Sequence, residues 1–136
     1  MRNQHVLLVD DNCADRALFL STTKKAFSEL IVSVANNGRE GLEYLRLPNQ
    51  PVPNLIIFDL HMPVLGGLEC LRELKNDPKL KSIPVIVFSS SVDRYEIAQV
   101  KLLGGERFVA KPSDLEGYFS AVQSLLQILV ENHKGI

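Results

Sequence analysis

The chain has 136 residues, of which 46% are hydrophobic, and its formal net charge is −1. This length fits one domain with a sizeable core, and the near-neutral charge argues against nucleic-acid binding by bulk electrostatics. No apolar run approaches the roughly 20 residues of a membrane span, and the N-terminus lacks the features of a signal peptide. We therefore expect a cytoplasmic protein, a location that also fits the two isolated cysteines, Cys13 and Cys70.

Apolar runs rich in β-branched residues alternate with helical patterns along the chain. The predicted strands cover residues 6–9, 31–35, 55–58, 85–88 and 108–110, and the predicted helices cover residues 14–27, 39–47, 68–75, 95–103 and 115–130. Such alternation is typical of an α/β protein whose parallel sheet is covered by helices on both faces. The nearly continuous apolar strands agree, because parallel strands are buried on both sides. No second domain fits, so we expect one domain over residues 1–136.

Three acids follow predicted strands: Asp10 and Asp11 after the first strand, and Asp59 after the third. Right-handed crossovers leave few topologies, and we assume the common flavodoxin-like strand order 2-1-3-4-5, which places a ligand site at the carboxyl ends of strands 1 and 3. Three carboxylates meeting there would repel one another by roughly 3 kcal/mol per pair at about 5 Å and an effective dielectric of about 20. Such a cluster calls for a hard divalent cation, and Mg²⁺, which prefers oxygen ligands, is the natural match.

Four segments at predicted strand ends carry a resemblance to a known family. They are VLLVDD at residues 6–11, DLHMP at 59–63, PVIVFSS at 84–90 and FVAKP at 108–112. In this order and spacing they resemble the receiver domain of two-component response regulators, and the resemblance spans residues 5 to about 130. It implies a doubly wound, flavodoxin-like (βα)5 fold and a stand-alone receiver, without an output domain, that signals through phosphorylation.

The resemblance assigns four residues to a phosphorylation and metal site. Asp59 would be the phosphoacceptor, a carboxylate nucleophile that takes the phosphoryl group of a phosphohistidine. Asp10 and Asp11 would hold Mg²⁺ together with Asp59, with Asp11 the more direct ligand of the pair, and the backbone carbonyl of His61 would complete the protein's ligands. The imidazole of His61 is a poor candidate ligand because Mg²⁺ prefers oxygen. The protein would catalyse its own phosphorylation and dephosphorylation rather than turn over a separate substrate.

The resemblance also implies a switch. Lys111 would face the phosphoryl group as a compact positive charge, the Ser89 hydroxyl would move to bond one of the new oxygens, and Phe108 would swing into the space vacated. The family pattern further suggests a cis peptide bond before Pro112, whereas only about one X-Pro bond in twenty is cis, so the isomer stays open. Two positions depart from that pattern: Ser90 stands where alanine is common, and the sequence GGER at residues 104–107 replaces a more usual Gly-Ala-Asp-Asp-like turn and puts Arg107 on the expected output face.

Other interpretations of these motifs stay open. The first acid pair could belong to a helix N-cap cluster with Asn12, and Ser90 or Ser91 could cap the helix after the fourth strand. A haloacid-type hydrolase would need a second aspartate where His61 stands. A flavodoxin or other small-molecule binder would need a hydroxyl- or glycine-rich phosphate loop after the first strand, where Asp11 and its neighbours would repel a phosphate. A phosphorylation-independent interaction domain is compatible with the intact site but does not require it.

A receiver without an output domain would deliver its effect in trans. The expected surface comprises residues 95–103, 107–110 and 115–130, and the expected partners are a sensor histidine kinase and either a downstream protein or a histidine phosphotransfer protein. The loop at residues 76–84 resembles that of regulators that partner phytochrome-type kinases. We expect no nucleic-acid or membrane partner. The last helix has more apolar residues than one face needs, so they either all pack on the sheet or leave some exposed for a homodimer; they are Tyr118, Phe119, Val122, Leu125, Leu126, Leu129 and Val130.

Overall fold

Five strands and five helices alternate along the part of the chain that the computed structural model describes, residues 4–90 and 93–134 without the side chains of residues 128 and 130–134. The strands are β1 (His5–Val9), β2 (Ile31–Ala35), β3 (Leu55–Phe58), β4 (Val85–Ser89) and β5 (Arg107–Ala110). The helices are α1 (Cys13–Ala26), α2 (Gly38–Arg46), α3 (Gly67–Asn76), α4 (Arg94–Leu102) and α5 (Leu115–Lys134). Each element coincides with a predicted one, and the bounds agree or differ by one residue, except that α5 ends four residues later than predicted.

The five strands form one parallel sheet in the order β2-β1-β3-β4-β5. The strand order assumed from the sequence is therefore confirmed. β2 lies on one side of β1, and β3 and the later strands lie on the other, so the strand order reverses between β1 and β3. At this switch point Val9 of β1 lies beside Phe58 of β3. The residues that follow these two strands thus enter the same crevice at the carboxyl edge of the sheet.

Alternate residues of each strand supply two separate cores, because successive side chains of a strand point to opposite faces. On one face, Leu7 and Ile56 pack with Leu71 of α3, together with residues of α2 and α4. On the other face, Leu8 packs with Phe19 of α1, together with residues of α5. Each fully buried side chain of this kind contributes about 1.5–3 kcal/mol relative to an exposed one. The two cores hold the central strands, and with them the crevice, in a fixed geometry.

Four helices begin at side chains that accept backbone hydrogen bonds, among them α5, where the Asp114 side chain accepts from the amide of Gly117 at 2.8 Å. The Asn12 side chain accepts from the amide of Asp15 at 3.0 Å and caps α1, so the acid pair before it is not the cap. The Asn37 side chain caps α2. The Asp93 side chain caps α4, so Ser90 is not the cap of this helix. The Asp93 carboxylate accepts from two amides, those of residues 95 and 96, and it stands directly before the first residue of α4, which is the N-cap position. Ser91 itself lies outside the described residues.

The apolar residues of α5 are used inside the fold. Buried there are Tyr118, Val122, Leu125, Leu126 and Leu129, and Phe119 is partly buried against the same core. The structure thus supports packing on the sheet for these six residues, and the homodimer stays a prediction. The side chain of Val130 lies outside the described part.

Three further observations bear on the expectations from the sequence. The bond between Lys111 and Pro112 is trans, so the cis bond implied by the family pattern is absent; trans is the lower-energy isomer for most X-Pro bonds. Cys13 and Cys70 are free, and burial raises the pKa of the Cys70 thiol to about 12. Among the described residues, no helix has both the length and the apolarity that a membrane crossing requires.

Candidate functional site

Three carboxylates meet at the carboxyl edge of the sheet. Asp10 and Asp11 follow β1, and Asp59 follows β3, where its amide donates to the carbonyl of Val9 at 3.2 Å. One carboxylate oxygen from each acid lies within 4.8 Å of those of the other two. Asp10 is buried, Asp59 is partly buried and Asp11 is exposed, so the group opens to solvent on one side. Hard oxygen donors in this number are what a divalent cation such as Mg²⁺ or Ca²⁺ binds.

A lysine that directly follows β5, Lys111, contacts the same acids. The Lys111 ammonium is 2.8 Å from Asp10, 2.8 Å from Asp15 and 3.1 Å from Asp59, measured to one carboxylate oxygen of each. It also lies 5.8 Å from the ring centroid of Phe88. Burial alone lowers the pKa of Lys111, but the hydrogen bonds to Asp10 and Asp15 and the negative charges around it outweigh burial and raise the pKa. Lys111 is therefore a permanent positive charge in the site.

Asp10 is the most buried of the three acids. Burial raises the pKa of the Asp10 carboxyl and the charge of Asp59 adds to that rise, while hydrogen bonds from Lys111 and from the amide of Asn12 partly offset it. The Asn12 amide donates at 2.9 Å, and the Arg16 guanidinium donates to the backbone carbonyl of Asp10 at 2.8 Å. The net rise means that the surrounding donors do not fully stabilise the negative charge of Asp10. A bound cation would supply the missing stabilisation.

Asp59 is held on both of its carboxylate oxygens. One accepts a hydrogen bond of 2.8 Å from the hydroxyl of Ser89 and a longer one of 3.3 Å from the amide of His61. The other accepts from Lys111. Ser89 is the last residue of β4 and is fully buried, and the Asp59 side chain is 13% exposed. Asp59 therefore has a fixed orientation and a narrow opening to solvent.

The imidazole of His61 turns toward α4. Its Nε2 lies 3.1 Å from a carboxylate oxygen of Glu96, in the first turn of that helix. The ring is thus engaged with a carboxylate at the rim of the site, on a side chain that is 62% exposed. The pair links the loop after β3 to α4, two segments that are 35 residues apart in sequence.

The other positions singled out in the sequence lie around this cluster. Phe108 is in β5 beside Val87, half-buried, and packs against the core that α2 and α3 cover. Ser90 and Arg107 are exposed. Neither departure from the family pattern removes a group from the acid and lysine cluster.

A glycine fixes the course of the loop after Asp59. The amide of Gly67 donates to the carbonyl of Leu60 at 2.8 Å, and a Cβ at Gly67 would lie 2.7 Å from the Cα of Leu60 and 2.8 Å from the carbonyl oxygen of Asp59. Real Cβ atoms essentially never approach other atoms so closely. The close approach of α3 to the segment that carries Asp59 therefore requires a residue without a side chain at position 67.

Two carboxylates of the site, Asp15 and Glu96, are not among the residues that the sequence motifs indicate. Asp15 falls within the predicted first helix, although an acid in the first turn of a helix that begins at the site is a usable signal. Glu96 gives no such signal, because only the packing of α4 brings it to His61.

The parallel sheet and the acid cluster at its switch point define a flavodoxin-like α/β protein with a candidate divalent-cation site. Comparison with protein families narrows this class. The model of the response regulator receiver domain matches residues 6–123. The chain belongs to this family, and its function is phosphorylation-dependent signalling of the two-component type.

Individual relatives agree with this family. The two-component response regulator ORR11 of Oryza sativa subsp. japonica is 36% identical over 121 residues, which cover 87% of this chain and 80% of ORR11. The response regulator Rcp1 of Synechocystis is 30% identical over 130 residues, or 93% of this chain and 88% of Rcp1. The crystal structure of the phosphorylated cyanobacterial phytochrome response regulator RcpA matches with a TM-score of 0.90 at 30% identity, covering 96% of both chains. The Mn²⁺-bound form of Rcp1 matches with a TM-score of 0.87 at 30% identity, covering 94% of this chain and 95% of that one.

Proposed function

We propose that the protein is a single receiver domain that takes a phosphoryl group from a sensor histidine kinase onto Asp59 in a Mg²⁺-dependent reaction. The observation that carries this proposal is the placement of Asp59, which shares a permanently charged lysine with Asp10 and lies within an acid group suited to a divalent cation. A phosphoryl group is an anion, so a carboxylate can attack it only where positive charge neutralises both partners. The cluster provides one such charge, Lys111, and the ligands for another.

The transfer conserves atoms and electrons as a displacement at phosphorus. A carboxylate oxygen of Asp59 forms a bond to phosphorus, the phosphorus–nitrogen bond of the donor phosphohistidine breaks, and its electron pair stays on the imidazole, which leaves as the neutral ring when its other nitrogen carries a proton. Lys111 donates to a phosphoryl oxygen. In dephosphorylation, water attacks phosphorus, the bond between phosphorus and the Asp59 oxygen breaks, and inorganic phosphate and the Asp59 carboxylate are released. The protein is thus the site of its own phosphorylation and dephosphorylation and has no separate substrate to turn over.

The donor chemistry of the acid group fits Mg²⁺. The residues that would hold the ion are Asp10, Asp11, Asp59 and, through its backbone carbonyl, His61. When bound, Mg²⁺ supplies positive charge to phosphoryl oxygens. The raised pKa of Asp10 supports this assignment, because it shows negative charge that the protein's own donors leave partly uncompensated. The relative Rcp1 has been solved with Mn²⁺ bound, which supports a divalent cation.

The switch would start at Ser89. Its hydroxyl donates to Asp59 at 2.8 Å, so a phosphoryl group on Asp59 offers it new acceptor oxygens within a short movement. Phe108 is half-buried in β5, two residues before the end of that strand. It is the aromatic residue that would fill the space that Ser89 leaves behind. Phosphorylation would then shift the population between two arrangements according to its differential contacts with them.

A phytochrome-type histidine kinase is the phosphodonor that the comparisons favour, since RcpA is described as a phytochrome response regulator. The output would be delivered in trans, through a downstream protein or a histidine phosphotransfer protein. The surface formed by α4, β5 and α5 supports such a contact because it exposes Tyr95, Leu102, Arg107 and Leu115. A cytoplasmic location stays a prediction.

Intact-mass spectrometry tests the proposal. The protein is incubated with acetyl phosphate, with and without Mg²⁺, as wild type, as Asp59→Asn and as Asp77→Asn, an aspartate of the α3 C-cap that serves as matched control. We expect a gain of one phosphoryl group in the wild type and the control, only with Mg²⁺, and none in Asp59→Asn. A folded wild type that gains nothing would overturn the proposal and favour a phosphorylation-independent interaction domain.

A further inference from the structure

Lys111 divides its hydrogen bonds among three carboxylates, and one of them lies outside the metal-binding group. An ammonium has three N–H donors, and those of Lys111 go to Asp10, Asp15 and Asp59. Among the residues that the structure describes, the acids close enough to share a metal ion are Asp10, Asp11 and Asp59, and Asp15 is not one of them. The site therefore has a metal side and a lysine side, and Asp15 belongs to the lysine side alone.

We propose that Asp15 is a positioning residue that holds the Lys111 ammonium against the phosphoacceptor throughout the phosphorylation cycle, an inference that rests on the proposed function. Asp10 and Asp59 would also bind the cation, so neither carboxylate interacts with Lys111 alone. Asp59 also loses its negative carboxylate when it becomes an acyl phosphate. The carboxylate of Asp15 neither binds the cation nor is phosphorylated, and it stays hydrogen-bonded to Lys111 in every state.

The burial of the four side chains supports this division. Lys111 is 7% exposed, Asp10 is 4% exposed and Asp59 is 13% exposed, whereas Asp15 is 32% exposed. Water reaches the carboxylate of Asp15, which therefore does not depend on a bound cation for its solvation. Lys111, in contrast, is too buried to replace a lost carboxylate with water. The ammonium therefore depends on Asp15 when the other two carboxylates are engaged.

Asp15 is itself held in place by two elements. Its amide donates to the side chain of Asn12, the N-cap of α1, at 3.0 Å. Its carbonyl accepts from the hydroxyl of Tyr118 in α5 at 3.3 Å. A residue anchored through both backbone groups presents its carboxylate from a fixed point, which is what a positioning residue requires.

The alternative is that Asp15 only stabilises α1, because a negative charge in the first turn of a helix interacts favourably with the helix dipole. Glu116 is the first-turn acid of α5 and is exposed. Asp15→Asn and Glu116→Gln therefore each remove one such charge, and only the former touches Lys111. A pure field effect is also distinguishable by its sign, since removing a negative charge near Asp59 would speed attack on an anionic donor.

The experiment measures the rate of phosphorylation by acetyl phosphate at saturating Mg²⁺ and, by calorimetry, the affinity for Mg²⁺ alone. We expect Asp15→Asn to slow phosphorylation about tenfold, as loss of a charge-assisted hydrogen bond does, with a smaller change in the Mg²⁺ affinity, because Asp15 lies outside the acid group that would hold the ion. Glu116→Gln should leave both quantities at the wild-type level. Nitrogen-15 NMR of the Lys111 ammonium gives a readout without any donor: its protons should exchange with water faster in Asp15→Asn.

An unchanged or faster rate in Asp15→Asn overturns the inference, as does unchanged exchange of the Lys111 protons. A parallel loss of rate and of Mg²⁺ affinity also overturns it, because it places Asp15 on the metal side. Failure of the proposed function looks different: the wild type itself then takes up no phosphoryl group, and the role of Asp15 falls with it.

Discussion

Replacement of Gly67 by alanine should destabilise the protein and impair the site together. The added Cβ would lie 2.7 Å from the Cα of Leu60 and 2.8 Å from the carbonyl oxygen of Asp59, and both are backbone atoms that cannot turn aside. Relief requires α3 to move away from the segment that carries Asp59. Overpacking of this kind costs about 1–3 kcal/mol, and 2 kcal/mol corresponds to roughly 6–10 °C in Tm for a domain of this size.

The neighbouring Gly66 provides the matched control. A Cβ there would lie 3.8 Å from its nearest neighbour, the carbonyl oxygen of Leu60, and the backbone has a φ of −70° that any residue adopts. Because Gly66 is the N-cap of α3, Gly66→Ser should be neutral or slightly stabilising. Thermal unfolding and the rate of phosphorylation by acetyl phosphate are measured for both variants. If Gly67→Ala matches the wild type in Tm and rate, the close approach of α3 to Asp59 has no energetic consequence and the reasoning fails.

Two further predictions concern charge. Lys111→Met removes the ammonium that competes with Mg²⁺ for Asp10 and Asp59. Calorimetry should therefore show Mg²⁺ binding at least about tenfold more tightly, while phosphorylation becomes much slower. Weaker Mg²⁺ binding would contradict the shared use of these acids. For His5, burial lowers the pKa, and its Nε2 lies 2.8 Å from the hydroxyl of Ser33. The unfolded chain then binds more protons below about pH 6.5, so the free energy of unfolding in urea should fall as the pH drops below that value, and the fall should be smaller in His5→Gln.

The strands and the acid cluster could be predicted because both depend on simple regularities. Buried parallel strands are apolar on both faces, so Leu55–Phe58 stands out in the sequence. The carboxyl ends of such strands share one edge, and therefore Asp10 and Asp59 had to meet once the strand order was assumed. Charge repulsion among these acids then pointed to a cation before any side-chain position was known.

What the sequence did not reveal depends on the rotation and packing of helices. Asp15 reaches Lys111 only because α1 presents that side of its first turn to the crevice, which no regularity of strand ends determines. The contact of Glu96 with His61 joins a helix to a loop, and it requires the placement of α4 on the sheet. The cap of α4 fell on Asp93 rather than on a serine because the helix begins later than the run of serines suggests.

The hydrogen bonds of Lys111 also have a consequence for folding. They join residues separated by 101, 96 and 52 positions along the chain, to Asp10, Asp15 and Asp59 in turn. Contacts of such long range form late, because the entropy of closing the intervening chain must be overcome first. A chain still emerging from the ribosome without β5 therefore has the acids but not their lysine. The site is thus completed only after β5 has been made and has paired with β4, so a phosphodonor meets a competent acceptor late in folding.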